Sequence, residues 1–138
     1  MKRVHFRFLG CVLVFVCSLG IAGYAAGSAP KSVNCDGEIQ WEVVPDARVI
    51  QFDCAIGTHG GEPALIFKVG IENVSTTAKR FRINIFLEDL DKGAGHLVPR
   101  KGKPPVLEPG KSKTVKIPFI KLDRKSKKML VVVKTISN

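Results

Sequence analysis

The chain has 138 residues, of which 45% are hydrophobic and 25% charged, with four cysteines and a formal net charge of +10. That length allows one compact domain of ordinary size, which excludes a multidomain enzyme with separate cofactor and substrate lobes. The apolar content is high enough to bury a core, which excludes a wholly disordered chain.

The amino terminus has the pattern of a secretory signal peptide. Three basic residues open the chain, and an uncharged apolar run from Leu9 to Ala22 and then several small residues follow them. The run is shorter than the roughly 20 residues that a membrane-spanning helix needs. We therefore predict an exported protein, periplasmic or extracellular, with a signal peptide over residues 1–25 cleaved after Ala25 or Gly27. The rest, residues 26–138, is predicted to form a single domain.

Two cysteines lie beyond the predicted cleavage site. Cleavage would remove three basic residues and lower the formal net charge from +10 to +7, leaving Cys35 and Cys54. In an oxidising compartment such a pair favours a disulfide, which would close a loop of about 20 residues and stabilise the fold by roughly 3 kcal/mol. The alternative is a metal or redox pair, but a CxxC spacing is absent and His59 has no partner at ligand spacing.

Apolar side chains alternate with polar ones along most of the remaining chain, as in half-buried strands. The predicted inward positions are Ile39, Trp41 and Val43; Ile50, Phe52 and Cys54; Leu65, Phe67, Val69 and Ile71; Phe81, Ile83, Ile85 and Leu87; and Val115, Ile117 and Phe119, before a last strand from Met129 to Ile136. Turns are predicted over Gly57 to Pro63, Asn73 to Thr77 and Glu108 to Lys111, and a loop over Asp89 to Gly95. No helical period is evident, so we predict an all-β sandwich of about six or seven antiparallel strands.

Two further features of the predicted strands and turns bear on what the surface could do. Phe86 falls on the polar face of its strand, which places it either under a loop or in a contact surface. Asn73-Val74-Ser75 matches an N-glycosylation acceptor.

Two segments resemble known bacterial modules. LIFKVGIENVSTTAKRFRINIFLED, from Leu65 to Asp89, is similar to the strand, Asn-turn, strand unit of immunoglobulin-like and fibronectin type III-like modules. VPRKGKPPVLEPGKSKTVKI, from Val98 to Ile117, and the later LDRKSKKMLVVVKTIS resemble the first domain of PapD-like periplasmic pilus chaperones. The resemblance covers about 70 residues and implies an immunoglobulin-like sandwich in the periplasm. The chain stops after the strand that precedes the subunit-donating strand of those chaperones. If that final strand is absent, the resemblance implies an open sheet edge that invites pairing with another chain.

Positive charge is concentrated in the last third of the chain, where twelve basic residues and only Glu108 and Asp123 follow residue 99. The candidate residues for binding an anion or a partner are Arg100, Lys101, Lys103, Lys111, Lys113, Lys116, Arg124, Lys125, Lys127 and Lys128. Such a patch suits an acidic polysaccharide, lipid headgroups or an acidic protein. The same lysines equally suit a solvated loop that keeps a strand edge from aggregating. Nucleic acid is a poor candidate because the patch lacks interleaved aromatic residues.

Catalytic patterns are absent from the sequence, which contains neither a nucleophile elbow nor a phosphate-binding glycine loop between a strand and a helix. We therefore predict a non-enzyme with no cofactor. The leading hypothesis is an exported protein-binding or assembly-accessory module that contacts an envelope or surface protein. The second is a cationic module that binds an anionic polysaccharide or membrane surface. The third is a small metal or redox carrier that uses His59, His96, Cys35 and Cys54.

Overall fold

A computed structural model describes Pro30 and residues 32–136 of the chain. Eight strands lie in that part: β1 (Val33–Asn34), β2 (Glu38–Val43), β3 (Ala47–His59), β4 (Glu62–Asn73), β5 (Arg80–Leu87), β6 (Lys92–Val98), β7 (Ser112–Ile120) and β8 (Lys128–Ile136). They form two four-stranded sheets around one apolar core, which confirms the predicted all-β sandwich with more strands than expected. The predicted signal peptide lies outside the described residues. Within them, no helix is long and apolar enough to cross a membrane.

The strand order is β1-β3-β4-β7 in sheet 1 and β2-β8-β5-β6 in sheet 2. Most neighbours are antiparallel, but β1 runs parallel to β3 and β2 runs parallel to β8, so the prediction of an antiparallel sandwich is wrong at these two pairs. Both parallel strands belong to the segment that precedes β3. This segment first adds β1 to the edge of sheet 1 and then crosses to add β2 to the edge of sheet 2. The last strand itself is not an edge, because β2 and β5 flank β8 on its two sides.

The predicted alternation of β4 and β5 is confirmed, since their inward side chains are fully buried. Leu65, Phe67, Val69 and Ile71 of β4 and Phe81, Ile83, Ile85 and Leu87 of β5 all have 0% exposure. A row of aromatic rings crosses the core, with centroid separations of 5.0 Å from Trp41 to Phe52, 5.4 Å from Phe52 to Phe67 and 5.5 Å from Phe67 to Phe119. Burying each such side chain contributes about 1.5–3 kcal/mol, so this row is a main source of stability.

The predicted turn over Gly57 to Pro63 is shorter in the structure. Strand β3 continues to His59, β4 begins at Glu62, and Gly60 and Gly61 make a two-residue hairpin turn with φ of +60° and +82°. Positive φ at both positions is what a tight turn matching strand twist requires, and glycine adopts it without steric cost. The two turn glycines therefore let the strands extend through residues that looked like a loop.

The predicted inward position of Ile50 is wrong. The pairing of β3 with β4 shifts between Val49 and Gln51, so Val49 is buried at 2% exposure and precedes the bulge. The Ile50 side chain instead lies against Gly70, where an added Cβ would come within 2.9 Å of its Cγ1 atom. A bulge changes the face of the residues on one side of it, which strict alternation does not anticipate.

The predicted loop from Asp89 to Gly95 is mostly strand. A short 3₁₀ turn at Glu88–Leu90 is followed by β6, which pairs with β5 from Lys92 to Val98. The glycines of this segment hide the strand in the sequence, because Gly93 and Gly95 supply no side chain that could alternate.

Asn73 ends β4 and is fully buried at 0% exposure. Its amide nitrogen donates to the carbonyl oxygens of Thr77 (2.9 Å) and Leu107 (2.7 Å). Its side-chain oxygen accepts from the Ser75 amide (2.9 Å) and the Ser75 hydroxyl (2.7 Å). Asn73 therefore holds two loops together, and in the folded domain its amide nitrogen is not exposed for glycosylation.

The predicted disulfide is confirmed between Cys35 and Cys54, with the two Cα atoms 5.3 Å apart. It attaches the segment between β1 and β2 to β3, across a sequence separation of 19 residues. A covalent link at this position fixes the part of the chain that crosses from one sheet to the other.

Candidate functional site

The ten predicted binding residues do not form one surface. Five lie around the loop from β6 to β7, at the end of the sandwich where β4 ends, which we call the Asn73 end: Arg100, Lys101, Lys103, Lys111 and Lys113. Four lie in or beside the loop from β7 to β8, at the opposite end, which we call the Lys128 end: Arg124, Lys125, Lys127 and Lys128. The tenth, Lys116, lies on β7 opposite Lys68 of β4.

At the Lys128 end, acidic residues hold the basic loop in place. The Lys125 ammonium lies 3.1 Å from Asp36, and the Lys128 ammonium lies 3.1 Å from Glu88. Solvent screens exposed pairs of this kind, so they contribute little to the stability of the domain. A hydrogen bond and the charge from Glu88 raise the pKa of Lys128 above its ordinary value.

Asp89 fixes the same loop by accepting hydrogen bonds. Its carboxylate accepts from the Ser126 hydroxyl and from the backbone amides of Lys127 (2.9 Å) and Lys128 (3.4 Å). The Ser126 bond is the largest cause that lowers the pKa of Asp89 below its usual value, and the two amides add to it. Carboxylates therefore bind this loop in two ways, through ion pairs with lysine side chains and through hydrogen bonds from backbone amides.

At the Asn73 end, Lys79 pairs with Asp46 at 3.7 Å, but three other cations, Arg82, Arg100 and Lys134, have no carboxylate partner among residues 32–136. Arg82 of β5 lies directly opposite Lys134 of β8. Like charges at opposed positions repel, so the pair favours a nearby anion. The ion pairs among residues 32–136 include neither of these two side chains nor that of Arg100. Arg82 and Lys134 are not among the predicted binding residues, because only the register of β5 against β8 brings them together.

An open cavity of about 400 Å³ lies beside this charge, on the outer face of sheet 2. Its lining residues are Arg82, Asn84, Gly95, His96, Leu97 and Arg100. The Arg80 guanidinium supports the wall by donating to the carbonyl oxygens of Pro99 and Arg100, each at 3.3 Å. Two of the lining residues are arginines with exposed side chains, so the cavity suits a carboxylate or another anion.

Three of the four sheet edges carry the usual protections against pairing with another chain. Strand β1 has only two residues, β2 exposes charged and amide side chains at alternate positions, and β7 carries two lysines and Pro118. Short length, charge and proline are the devices that keep edges unpaired. Strand β6, with the sequence KGAGHLV, has a lysine only at its first position. In the described part of the chain its backbone ladder is to β5 alone. Strand β7 of the other sheet lies beside it, and an open cavity of about 290 Å³ is lined by residues 92–94 of β6 and 118–120 of β7.

Phe86 lies on the outer face of sheet 2 next to this edge and is 43% exposed. Its ring extends over β6, since a Cβ added at Gly93 would come within 3.2 Å of the ring. Phe86, Gly93 and Leu130 line a second open cavity, of about 460 Å³, whose other walls include Glu88 and Asp91. Phe86 is therefore part of a surface, and not a residue covered by a loop.

The residues of the metal or redox hypothesis are not brought together. Cys35 and Cys54 are joined to each other, His59 ends β3 beside the hairpin turn, and His96 lies on β6 in the other sheet. Among the residues that the structure describes, no group of three or more histidine, cysteine, aspartate or glutamate side chains could hold a metal ion.

The chain matches no protein-family model, and no similar curated protein or solved structure was found. The likeness to immunoglobulin-like modules and pilus chaperones therefore rests on the sequence segments quoted above. What the surface can bind has to be inferred from its own chemistry, namely a bare strand edge with an exposed aromatic ring at one end and uncompensated arginines at the other.

Proposed function

We propose that this chain is an exported, non-enzymatic, immunoglobulin-like module that binds an extended segment of another protein along β6. One observation carries the proposal: among the described sheet edges, β6 has its one lysine at its first position, contains no proline and has a backbone ladder to β5 alone, with β7 of the other sheet lying beside it without pairing. An extended peptide can add to such an edge by main-chain hydrogen bonds, and pockets beside it select the side chains.

The fold and the compartment are supported separately. The chain passes from one sheet to the other after β1, β2, β4, β6 and β7, and β4 pairs with β7 while β5 pairs with β8. Such pairing of non-consecutive strands between two sheets is typical of immunoglobulin-like sandwiches. The Cys35–Cys54 disulfide supports export, because disulfides persist in oxidising compartments, and the apolar amino-terminal run supports it independently.

The second candidate function is binding of an anionic polysaccharide or membrane surface. Two opposed pairs of like charges favour it, Arg82 with Lys134 on sheet 2 and Lys68 with Lys116 on sheet 1. These pairs lie on different sheets, so a polymer would have to contact two faces of the sandwich to reach both. That geometry makes edge binding the better supported function.

Proline substitution in β6 tests the edge directly. Successive amides of a strand point to opposite sides, so of Gly95→Pro and His96→Pro one removes an amide that faces β5 and the other removes an amide on the free side. Because a Cβ at Gly95 would come within 2.7 Å of the Asn84 amide oxygen, Leu97→Pro, whose amide points to the same side as that of Gly95, replaces Gly95→Pro in the comparison with His96→Pro. Thermal unfolding identifies which of these two variants keeps its stability, and that variant is the edge-blocked protein. The protein is produced in an exporting host and used to capture partners from a cell-envelope extract.

Capture is compared at about 0.05 M and about 0.5 M salt, between which the screening length falls from about 14 Å to about 4 Å. We expect a partner that is retained at high salt by the wild type and lost by the edge-blocked variant. The control is a Lys68→Gln, Lys116→Gln variant, which should capture the same partner. Material held only at low salt, lost by this control and kept by the edge-blocked variant would support the anionic polymer instead.

A further inference from the structure

We infer that the segment bound by β6 carries a carboxylate and, four residues later, a large apolar residue. This inference rests on the proposed function and specifies the partner chemistry of the same site. It follows from what lies along the outer side of β6, where Leu97, Gly95 and Gly93 are successive positions facing away from the core. An added strand would place alternate side chains beside these three positions, about 13 Å from first to last at a rise of about 3.3 Å per residue.

The apolar position is set by Gly93. Because Gly93 has no side chain, a residue opposite it on the added strand can reach the exposed Phe86 ring. Leu130 of β8 lies directly opposite Phe86 and extends the apolar floor of the 460 Å³ cavity. Glu88, Asp91 and Lys92 also line that cavity, and Glu88 pairs with Lys128, so its walls carry no excess positive charge that would attract a carboxylate. The site therefore favours an aromatic or long aliphatic side chain.

The acidic position is set by Leu97. It lies opposite Arg82 of β5 and shares the 400 Å³ cavity with Arg82 and Arg100. Lys134 adds a third positive charge on the next strand. A carboxylate opposite Leu97 can accept hydrogen bonds from either guanidinium and relieves the repulsion between Arg82 and Lys134. At the other end the same carboxylate would meet Glu88 and Asp91 as well as Lys92, and no arginine lines that cavity.

The position between them, opposite Gly95, imposes little preference on the side chain of the bound segment. A Cβ at Gly95 would come within 2.7 Å of the Asn84 amide oxygen, so the Asn84 side chain already lies over the strand there. An antiparallel added strand continues the pattern of β5 and β6 and gives the slightly more stable ladder. In that direction the carboxylate precedes the apolar residue in the bound segment.

Three end-blocked peptides test the inference by their affinity for the exported protein. The designed peptide is Thr-Asp-Thr-Val-Thr-Phe-Thr, and a shifted peptide of the same composition, Thr-Val-Thr-Asp-Thr-Phe-Thr, moves the acid to the middle position. A third peptide has lysine in place of aspartate. We expect the designed peptide to bind about three- to tenfold more tightly than either of the others, because exposed charge contacts are individually weak.

The double variant Arg82→Gln, Arg100→Gln should remove this preference while still binding all three peptides. The double variant Lys116→Gln, Lys125→Gln removes the same net charge elsewhere and should keep the preference. Equal binding of the three peptides by the wild type, abolished in the edge-blocked variant, would leave edge binding intact and overturn the inference about side chains. Identical binding by the wild type and the edge-blocked variant would overturn the proposed function itself. A wild-type dimer that the edge block dissociates would mean that a second copy of this chain occupies β6, which would also overturn the inference.

Discussion

Replacing Asn73 tests whether one buried amide holds the Asn73 end of the sandwich together. The side chain is fully buried and makes four hydrogen bonds, two to the carbonyls of Thr77 and Leu107 and two from Ser75. Asn73→Ala deletes all four, and each intramolecular hydrogen bond contributes about 0.5–1.5 kcal/mol net. Water can replace the partners of the half-exposed Ser75, whereas Leu107 is 8% exposed and its carbonyl keeps only the Lys79 amide.

We therefore expect Asn73→Ala to lower the free energy of unfolding by about 2–4 kcal/mol. For a domain of this size that corresponds to a fall in Tm of about 10–20 °C. Asn73→Asp should be worse at pH 7, because it replaces a double donor with a buried carboxylate that faces two carbonyl oxygens. Burial and those oxygens would raise the pKa of the new carboxyl above its unfolded value. The folded Asp variant then binds more protons than the unfolded one between these two pKa values, so its stability rises as the pH falls from 7 toward 4.

The assay is guanidinium unfolding followed by the fluorescence of Trp41, the single tryptophan, which packs edge-on against Phe52 at 5.0 Å in the core. Asn84→Ala is the matched control, since Asn84 is a half-buried asparagine on the outer face of sheet 2 and should stay within about 0.5 kcal/mol of the wild type. A loss below about 1 kcal/mol for Asn73→Ala, or equal stability of the Ala and Asp variants at pH 7, would refute the account of Asn73 as the polar anchor of two loops.

Three further predictions concern the core, the disulfide and the Lys128 end. Phe81→Ala, at a fully buried position, should cost about 3–5 kcal/mol in denaturant unfolding, and a cost below about 1 kcal/mol would contradict the register of β5. Replacing Cys35 and Cys54 together by serine should lower the free energy of unfolding by about 3 kcal/mol. The wild type measured under reducing conditions should show the same loss. Asp89→Asn should lower Tm at pH 7, because the pKa of Asp89 is lowered in the folded state, and that difference should vanish as the pH falls through and below 3.8. A difference in Tm that persists unchanged at about pH 2 would show that the hydrogen bonds of Asp89 do not depend on its charge.

The bare edge and the charged end of sheet 2 suggest a division of roles within one surface. Main-chain pairing along β6 would supply affinity that salt barely changes, whereas Arg82 and Arg100 would supply selectivity that salt weakens. At the Lys128 end, Asp36 and Glu88 pair with Lys125 and Lys128, and Asp89 binds the backbone of the basic loop, so the cations of this loop have no part in the proposed selectivity.

The sequence by itself predicted the features that depend on local periodicity and on cysteine number. Alternation from Leu65 to Ile71 and from Phe81 to Leu87 was sufficient to assign two central strands and their buried faces, because each strand is half-buried and its pleat has a period of two. The same alternation failed at Ile50, where a bulge inserts a residue, and along β6, where glycines leave no pattern to detect.

The candidate site depended on tertiary structure throughout. Proximity in the sequence grouped Arg100 with Lys128, but the strands carry these residues to opposite ends of the sandwich. Pairing of β5 with β8 brought Arg82 and Lys134 together from 52 positions apart in the chain. Which edge of a sheet is left bare is decided by which strands pair, and strand pairing is a contact between distant segments that no local pattern encodes.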